Sequence, residues 1–251
     1  MTGVVAVVAG YLVHARDRPG VASLAKSPEG RSVRWVLREL VLRPQVDDDD
    51  SGAVDILQSS LLLGAKAWND ALVGCRAPKL RVVTGAHRSL PPVRDGFSTV
   101  VLRRRRWCPE SAPDDGECYD KDRAGFTTLY PNDVEGRRYA DLREADMEIN
   151  GADFAWSLEG EKADTSSLRA LVVHELGHVL GLDHPCEASA RPGGAKQPCD
   201  SLPLRASIMY PLPIEAGRAA VLEPGRDERD TLCALYATGD AWPPERAVGA
   251  L

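Results

Sequence analysis

The chain has 251 residues, 43% of them hydrophobic and 27% charged, with a formal net charge of −6. That length and balance suit a folded domain with a full apolar core, and the acidic surplus argues against a nucleic-acid binder, which presents a basic face. No apolar run reaches the roughly 18 residues that a membrane-spanning helix needs, and no internal repeat points to a solenoid or propeller.

Residues 1–15 open with an apolar run, Gly3 to Val13, closed by Val13-His14-Ala15. Small or apolar side chains before a cut after Ala15 resemble a secretory signal peptide, without the basic residue that usually precedes the apolar segment. The plainer alternative is a buried first strand, Val4 to Val8. Residues 16–30 are polar and broken by Gly and Pro, as in a linker. Arg31 to Val46 alternates in hydrophobicity and predicts a strand. The acidic run Asp47 to Asp50, followed by Ser51, predicts a helix N-cap favoured by the helix dipole rather than a calcium site. Ala53 to Val73 then places Ile56, Leu57, Leu61, Gly64, Trp68 and Leu72 at helical spacing, so a long helix packs one face on the core.

Leu80 to Val83 and Phe97 to Leu102 predict short strands. The second runs into Arg103-Arg104-Arg105-Arg106, read as a solvated strand end in preference to a polyanion or cleavage site. Residues 107–124 form a loop bracketed by Cys108 and Cys118. Phe126 to Tyr130 and Asp146 to Asn150 predict two more strands. Ser167 to Leu180 predicts a strong helix with Leu168, Leu171, Val172, Leu176 and Val179 on its apolar side. Thr165 or Ser166 would cap it, and Gly181 would supply the left-handed stop. A Pro- and Gly-rich stretch over 185–226 leads to a last helix, Arg229 to Ala237, and a tail over 238–251. Strands alternating with helices, followed by a loop-rich second half, give the class α/β.

The six cysteines contain no CxxC pair. An even count fits three disulfides and an oxidising compartment; the alternative is scattered thiols in a cytosolic protein. Local spacing favours Cys108 with Cys118 and Cys186 with Cys199, leaving Cys75 with Cys233, and other connectivities stay open.

Three of the five histidines fall within His174-Glu175-Leu176-Gly177-His178-Val179-Leu180-Gly181-Leu182-Asp183-His184. His174 and His178, four apart on a helix, share a face and can bind one zinc ion. Glu175 can point its carboxylate at water activated by that ion. Gly181 breaks the helix so that His184 can return as a third ligand, and three protein ligands leave a position open for catalysis.

This stretch resembles the metzincin zinc signature. Ser207-Ile208-Met209-Tyr210-Pro211 resembles the Met-turn of that group, in the form most similar to matrixins. Weaker likenesses lie in Asp146 to Asn150 with Phe154 and Trp156, in Gly125 to Pro131 as the strand bordering the cleft, in Trp68, and in Asp227 to Tyr236 as a closing helix. The resemblance runs over residues 31–237. It implies a zincin-like domain with a twisted mixed five-stranded sheet, a long first helix, an active-site helix and a loop-rich C-terminal subdomain closed by a final helix.

The resemblance also implies one catalytic Zn2+ held by His174, His178 and His184, with Glu175 as general base and then general acid, and Met209 packed beneath the metal. Tyr210, Pro211 and Leu212 become substrate-pocket candidates; the apolar content of Leu212, Pro213, Ile214, Val221 and Leu222 suggests an apolar preference. An extended substrate would pair with the strand Phe126 to Tyr130. Only His14 and His87 lie outside the signature, so a second, structural zinc is not expected, and no cysteine-switch sequence precedes the domain. The pattern looks most like bacterial secreted matrixin-like proteases. Ca2+ at Asp114, Asp115, Glu117 and Asp120 is the lesser reading of an acidic turn.

The expectation is a secreted, monomeric zinc metalloendopeptidase acting on proteins or peptides. Its rivals are a catalytically inactive zinc-containing binding protein on the same scaffold and a cytosolic zinc peptidase with free thiols.

Overall fold

A computed structural model describes residues 5–6, 22–84, 91–113, 116–186, 199, 202–211 and 221–237. In chain order the elements are β1 (Val5–Ala6), β2 (Ser23–Leu24), β3 (Val33–Trp35), β4 (Glu39–Val46), α1 (Ser51–Ala71), β5 (Lys79–Val82), β6 (Ser98–Arg103), β7 (Gly125–Asn132), β8 (Ala140–Asn150), β9 (Trp156–Ser157), β10 (Ser166–Ser167), α2 (Leu168–Val179), β11 (Leu182–Asp183), α3 (Leu202–Arg205) and α4 (Arg226–Ala237). The class is α/β, with a mixed sheet.

The sheet has seven strands in the order β1-β7-β8-β6-β4-β5, with β3 also on β8. β5, β4, β6 and β8 run parallel; β7 is antiparallel to β8, and β1 antiparallel to β7. Five of these strands match the expected sheet, and β1 and β3 enlarge it. The strand expected over Arg31 to Val46 is in fact two. β8 is 11 residues long, enough for one edge to take β3 at Ala140 to Leu142 and β6 at Met147 to Asn150. The chain leaves that edge after Trp35 and re-enters between β5 and β6 as β4. Pro44 is tolerated inside β4 because the pairing with β5 covers only Glu39 to Leu42, so its missing N–H costs no ladder bond on that side.

Both long helices lie against one face of the sheet. They cross closely at Gly64, where a Cβ would meet Val172 Cγ1 at 3.0 Å and Leu176 Cδ1 at 3.1 Å. Trp68 and Trp35 are buried in this layer and satisfy their indole N–H groups on α2: Trp68 Nε1 donates to the Val173 carbonyl at 2.8 Å and Trp35 Nε1 to the Val179 carbonyl at 2.6 Å. The Tyr236 hydroxyl donates to the Leu180 carbonyl at 3.0 Å. The last carbonyls of α2, which have no partner inside the helix, are thus met by core side chains.

Two expectations need correction. The stretch read as a linker, 16–30, belongs to the fold from Ala22 onward: Ala22, Ala25 and Ser27 are buried, β2 pairs with β11, and the Ala25 N–H donates to the Gly181 carbonyl at 2.8 Å. Its small side chains resemble a linker in composition, and they are what let the backbone lie close to α2. The arginine run is only partly the solvated strand end and loop expected: Arg105 is exposed, but the first two arginines are not free in solvent. Arg103 is buried and ion-paired with Glu148, while Arg104 pairs with Asp48 and Asp50. The Arg104 N–H donates to Asp47 Oδ1 at 2.7 Å. Parallel pairing of β4 with β6 brings the acidic and basic runs together at adjacent strand ends. Asp50 also caps α1, accepting from the Gly52 N–H at 2.9 Å and the Ala53 N–H at 3.3 Å.

All six cysteines are paired: Cys75 with Cys233, Cys108 with Cys118, and Cys186 with Cys199. Of the acidic turn, Asp114 and Asp115 lie outside the described residues. Residues 1–4, 7–15 and 238–251 lie outside them too, and with them most of the expected leader and tail. Among the described residues, no helix is long and apolar enough to cross a membrane.

The outer face of the sheet buries the alternating acids of β8. Glu144 accepts the Asp95 and Gly96 N–H groups, and Asp146 accepts the Thr99 N–H at 2.9 Å and the Tyr130 hydroxyl at 3.1 Å. Burial raises the Asp146 pKa from 3.8 to about 7, against the opposing pull of those two hydrogen bonds. The ionised form is therefore disfavoured in the fold. This group's contribution to stability is greatest below about pH 4, and on the order of a few kcal/mol is lost as pH rises to about 7. Asp146→Asn keeps an acceptor for Thr99 and presents an amide to Tyr130. Calorimetry should find its melting temperature equal to that of the wild type near pH 4 and several degrees higher at pH 8. A variant less stable than the wild type at pH 8 would contradict this account.

Candidate metal centre

α2 begins at Ser167, whose hydroxyl accepts the Ala170 N–H at 3.1 Å. The cap is thus Ser167, not Thr165 or Ser166: Ser166 is drawn into β10 beside β9, and the Thr165 hydroxyl is spent on Ser157 and the Lys162 carbonyl. The helix sets His174 and His178 one turn apart with Glu175 between them. Gly181 ends it at φ +105°, and a Cβ there would also meet the Val33 carbonyl at 3.1 Å, so both conformation and space demand glycine. β11 follows at once, and its pairing with β2 turns His184 back toward the helix.

The three rings converge. His184 Nε2 lies 3.1 Å from His174 Nε2 and 3.0 Å from His178 Nε2. The remote nitrogens face carbonyls: His174 Nδ1 lies 2.6 Å from the Ile208 oxygen and His178 Nδ1 2.9 Å from the Leu182 oxygen. A carbonyl only accepts, so each Nδ1 carries the proton and each Nε2 turns a lone pair inward. His184 Nε2 has at most one proton to offer two lone pairs. One cation among the three nitrogens satisfies all of them. Zinc–imidazole bonds of about 2.0–2.1 Å in a tetrahedral site separate the nitrogens by roughly 3.3 Å, close to the spacing here. Burial and the neighbouring His178 push the His174 pKa down to about 3, which keeps the ring neutral and able to ligate. Among the described residues, these three form the one cluster of possible metal ligands.

Glu175 is 4% exposed. Its Oε2 accepts the Thr127 hydroxyl at 2.7 Å. Burial pushes its carboxyl pKa up, while His178 and the Thr127 hydrogen bond pull the other way. Met209 is fully buried against α2. It lies so close to α2 that a Cβ on Gly177 would collide with its sulfur and sit 3.1 Å from Trp68 Cζ2. The turn is braced from α4: Ser207 Oγ donates to Glu228 Oε1 at 2.6 Å and accepts the Met209 N–H at 3.0 Å. The Ile208 carbonyl that orients His174 is held between these two bonds.

Of the pocket candidates, Tyr210 and Pro211 are partly buried, and Leu212, Pro213 and Ile214 lie outside the described residues. The Tyr210 hydroxyl donates to the Cys199 carbonyl at 2.7 Å, which ties the turn to the Cys186–Cys199 disulfide two residues past His184. Closing a loop of that length stabilises by about 3 kcal/mol in the chain-entropy model. Thr127 and Glu228 were not legible as site residues: a threonine in an alternating strand and a glutamate in a first helical turn are ordinary in sequence.

Residues 135–191, which contain α2 and all three histidines, match the family model described as Matrixin. No curated protein sequence matches the chain. Among solved structures it is similar to high choriolytic enzyme 1, a hatching enzyme zinc-protease from the medaka fish Oryzias latipes, at 11% identity and a TM-score of 0.33 over 86% of this chain and 94% of that one.

The contact between Gly177 and Met209 makes a direct prediction. Gly177→Ala overpacks the space under the histidines and should destabilise by about 1–3 kcal/mol. It should also weaken zinc in a competition titration with a chelator, because displacing Met209 moves the Ile208 carbonyl. An unchanged melting temperature and zinc affinity would show that the turn tolerates the shift.

Proposed function

We propose, from the histidine cluster and the Matrixin match over residues 135–191, that this chain works as a secreted zinc metalloendopeptidase. The observation that carries the reading is the convergence of three imidazole lone pairs beside a buried carboxylate. His174, His178 and His184 would hold the ion as neutral rings, the first two fixed in rotation by the Ile208 and Leu182 carbonyls. Zinc, when bound, supplies Lewis acidity that makes water acidic and a peptide carbonyl electrophilic. Glu175 accepts a proton at its carboxylate as water attacks and returns it to the leaving amine. One carboxylate serves both steps because it ends each cycle as it began.

The substrate would be an extended peptide. β1 pairs with β7 at Leu129 and Thr128, so this edge takes a strand in antiparallel register, and a peptide added there would use the same backbone groups. Tyr210, Pro211 and Leu212 would line the pocket beyond the cut, with an apolar preference. Three disulfides and no free cysteine suit an extracytoplasmic compartment, in keeping with a leader over residues 1–15 and a monomer that acts outside the cell.

The test is hydrolysis of casein or a quenched peptide by the full chain, beside Glu175→Ala prepared identically, with zinc measured on both. Activity should fall by about 10²–10⁴-fold in the variant while zinc stays near one per chain. Stoichiometric zinc with no cleavage in either protein would move the assignment to a non-catalytic zinc-containing binding protein.

A further inference from the structure

We propose that Thr127 is a positioning residue for Glu175, holding the carboxylate from the strand that receives substrate; this rests on the protease reading above. Thr127 is 1% exposed on β7, paired with Met147 across the sheet, and its side chain faces α2. Its hydroxyl lies 2.7 Å from Glu175 Oε2 and 3.3 Å from the Glu175 carbonyl. Both acceptors belong to one residue, so a single hydroxyl locks the base to the backbone it grows from. A carboxylate only accepts, so the hydroxyl donates.

The geometry assigns a task to that bond. Besides Thr127, the side chains acting on Glu175 are His178, whose neutral ring is turned to the histidine cluster, and Arg123 in the turn before β7. Arg123 already stacks over Phe126, with its guanidinium carbon 5.8 Å from the ring centroid. Without the Thr127 hydroxyl the carboxylate loses the side-chain hydrogen bond that holds its direction. Because Thr127 sits one residue from Thr128, where β1 pairs with β7, the same strand that would carry the scissile peptide also sets the base. The base is thereby hydrogen-bonded to the strand that would carry the substrate, the kind of positioning that proximity effects require.

A merely structural threonine and a positioning one differ in what their replacement changes. Zinc-loaded full-length Thr127→Val, Thr127→Ala and Thr127→Ser would be compared with the wild type in kcat and KM on a quenched peptide, in zinc per chain, in melting temperature, and in affinity for acetohydroxamate. That probe's hydroxyl needs the Glu175 carboxylate as acceptor. Val and Ala should lower kcat by about tenfold or more, equal to about 1.4 kcal/mol at the transition state, with KM within about twofold and zinc near one per chain. They should weaken acetohydroxamate by a similar factor. Ser, which restores the hydroxyl, should keep both within about threefold of wild type. If Val fails to fold, Ala carries the comparison. Unchanged kcat and probe affinity in Val and Ala, an equal loss in Ser, or a loss that follows KM or zinc content would overturn the proposal. A wild type that cleaves nothing refutes the protease reading alone, and the acetohydroxamate affinities then decide Thr127. A zinc-loaded wild type that neither cleaves nor binds the probe refutes both.

Discussion

Two backbone carbonyls decide where two of the three imidazoles point. By accepting the Nδ1 protons of His174 and His178, the Ile208 and Leu182 oxygens oblige both Nε2 atoms to face inward as lone pairs. Without a cation the arrangement is electrostatically unfavourable, so folding and metal binding are linked, and part of the metal's affinity is set by how rigidly the carbonyls are held. Much of the chain serves that rigidity. Leu182 is fixed by the β2–β11 ladder. Ile208 is fixed by Ser207 and Glu228 on one side and by Met209 wedged against Gly177 and Trp68 on the other. The helix itself is held at its C-terminal end by Trp35 and Tyr236.

The two faces of the sheet solve different problems. The helix face is apolar and depends on close packing at Gly64 and Trp68. The outer face buries charge: Glu144, Asp146 and Glu148 alternate along β8, and each is answered separately, by backbone N–H groups, by Tyr130 with Thr99, and by Arg103 with Tyr119. Buried carboxylates are tolerated only when partnered in this way.

Much of this was readable beforehand. The histidine-bearing helix announces itself through its apolar face, Gly181 and the histidine spacing, and α1, β5, β6 and β7 fall within a few residues of where periodicity places them. What stayed hidden depends on contacts between distant segments. Sheet order cannot be read from one strand at a time, so neither the break between β3 and β4 nor the meeting of Asp47–Asp50 with Arg103–Arg106 was visible. Residues 22–27 looked like linker because close backbone approach selects the same small residues that flexible segments use. Ser167 displaced the expected caps because Thr165 and Ser166 found partners at β9. Thr127 and Glu228 act through single hydrogen bonds to residues 48 and 21 positions away, beyond any local pattern.

The disulfides give the molecule a property that its packing alone cannot. Cys75 and Cys233 span 158 positions, and both the histidine cluster and the proposed substrate strand lie between them. A backbone cut anywhere in that span opens the chain but does not divide it, since the two pieces remain joined through α1 and α4. Cys186 and Cys199 repeat the arrangement on a smaller scale beside His184. A protein proposed to cut peptides among copies of itself is thereby built to stay one covalent body after its loops are nicked.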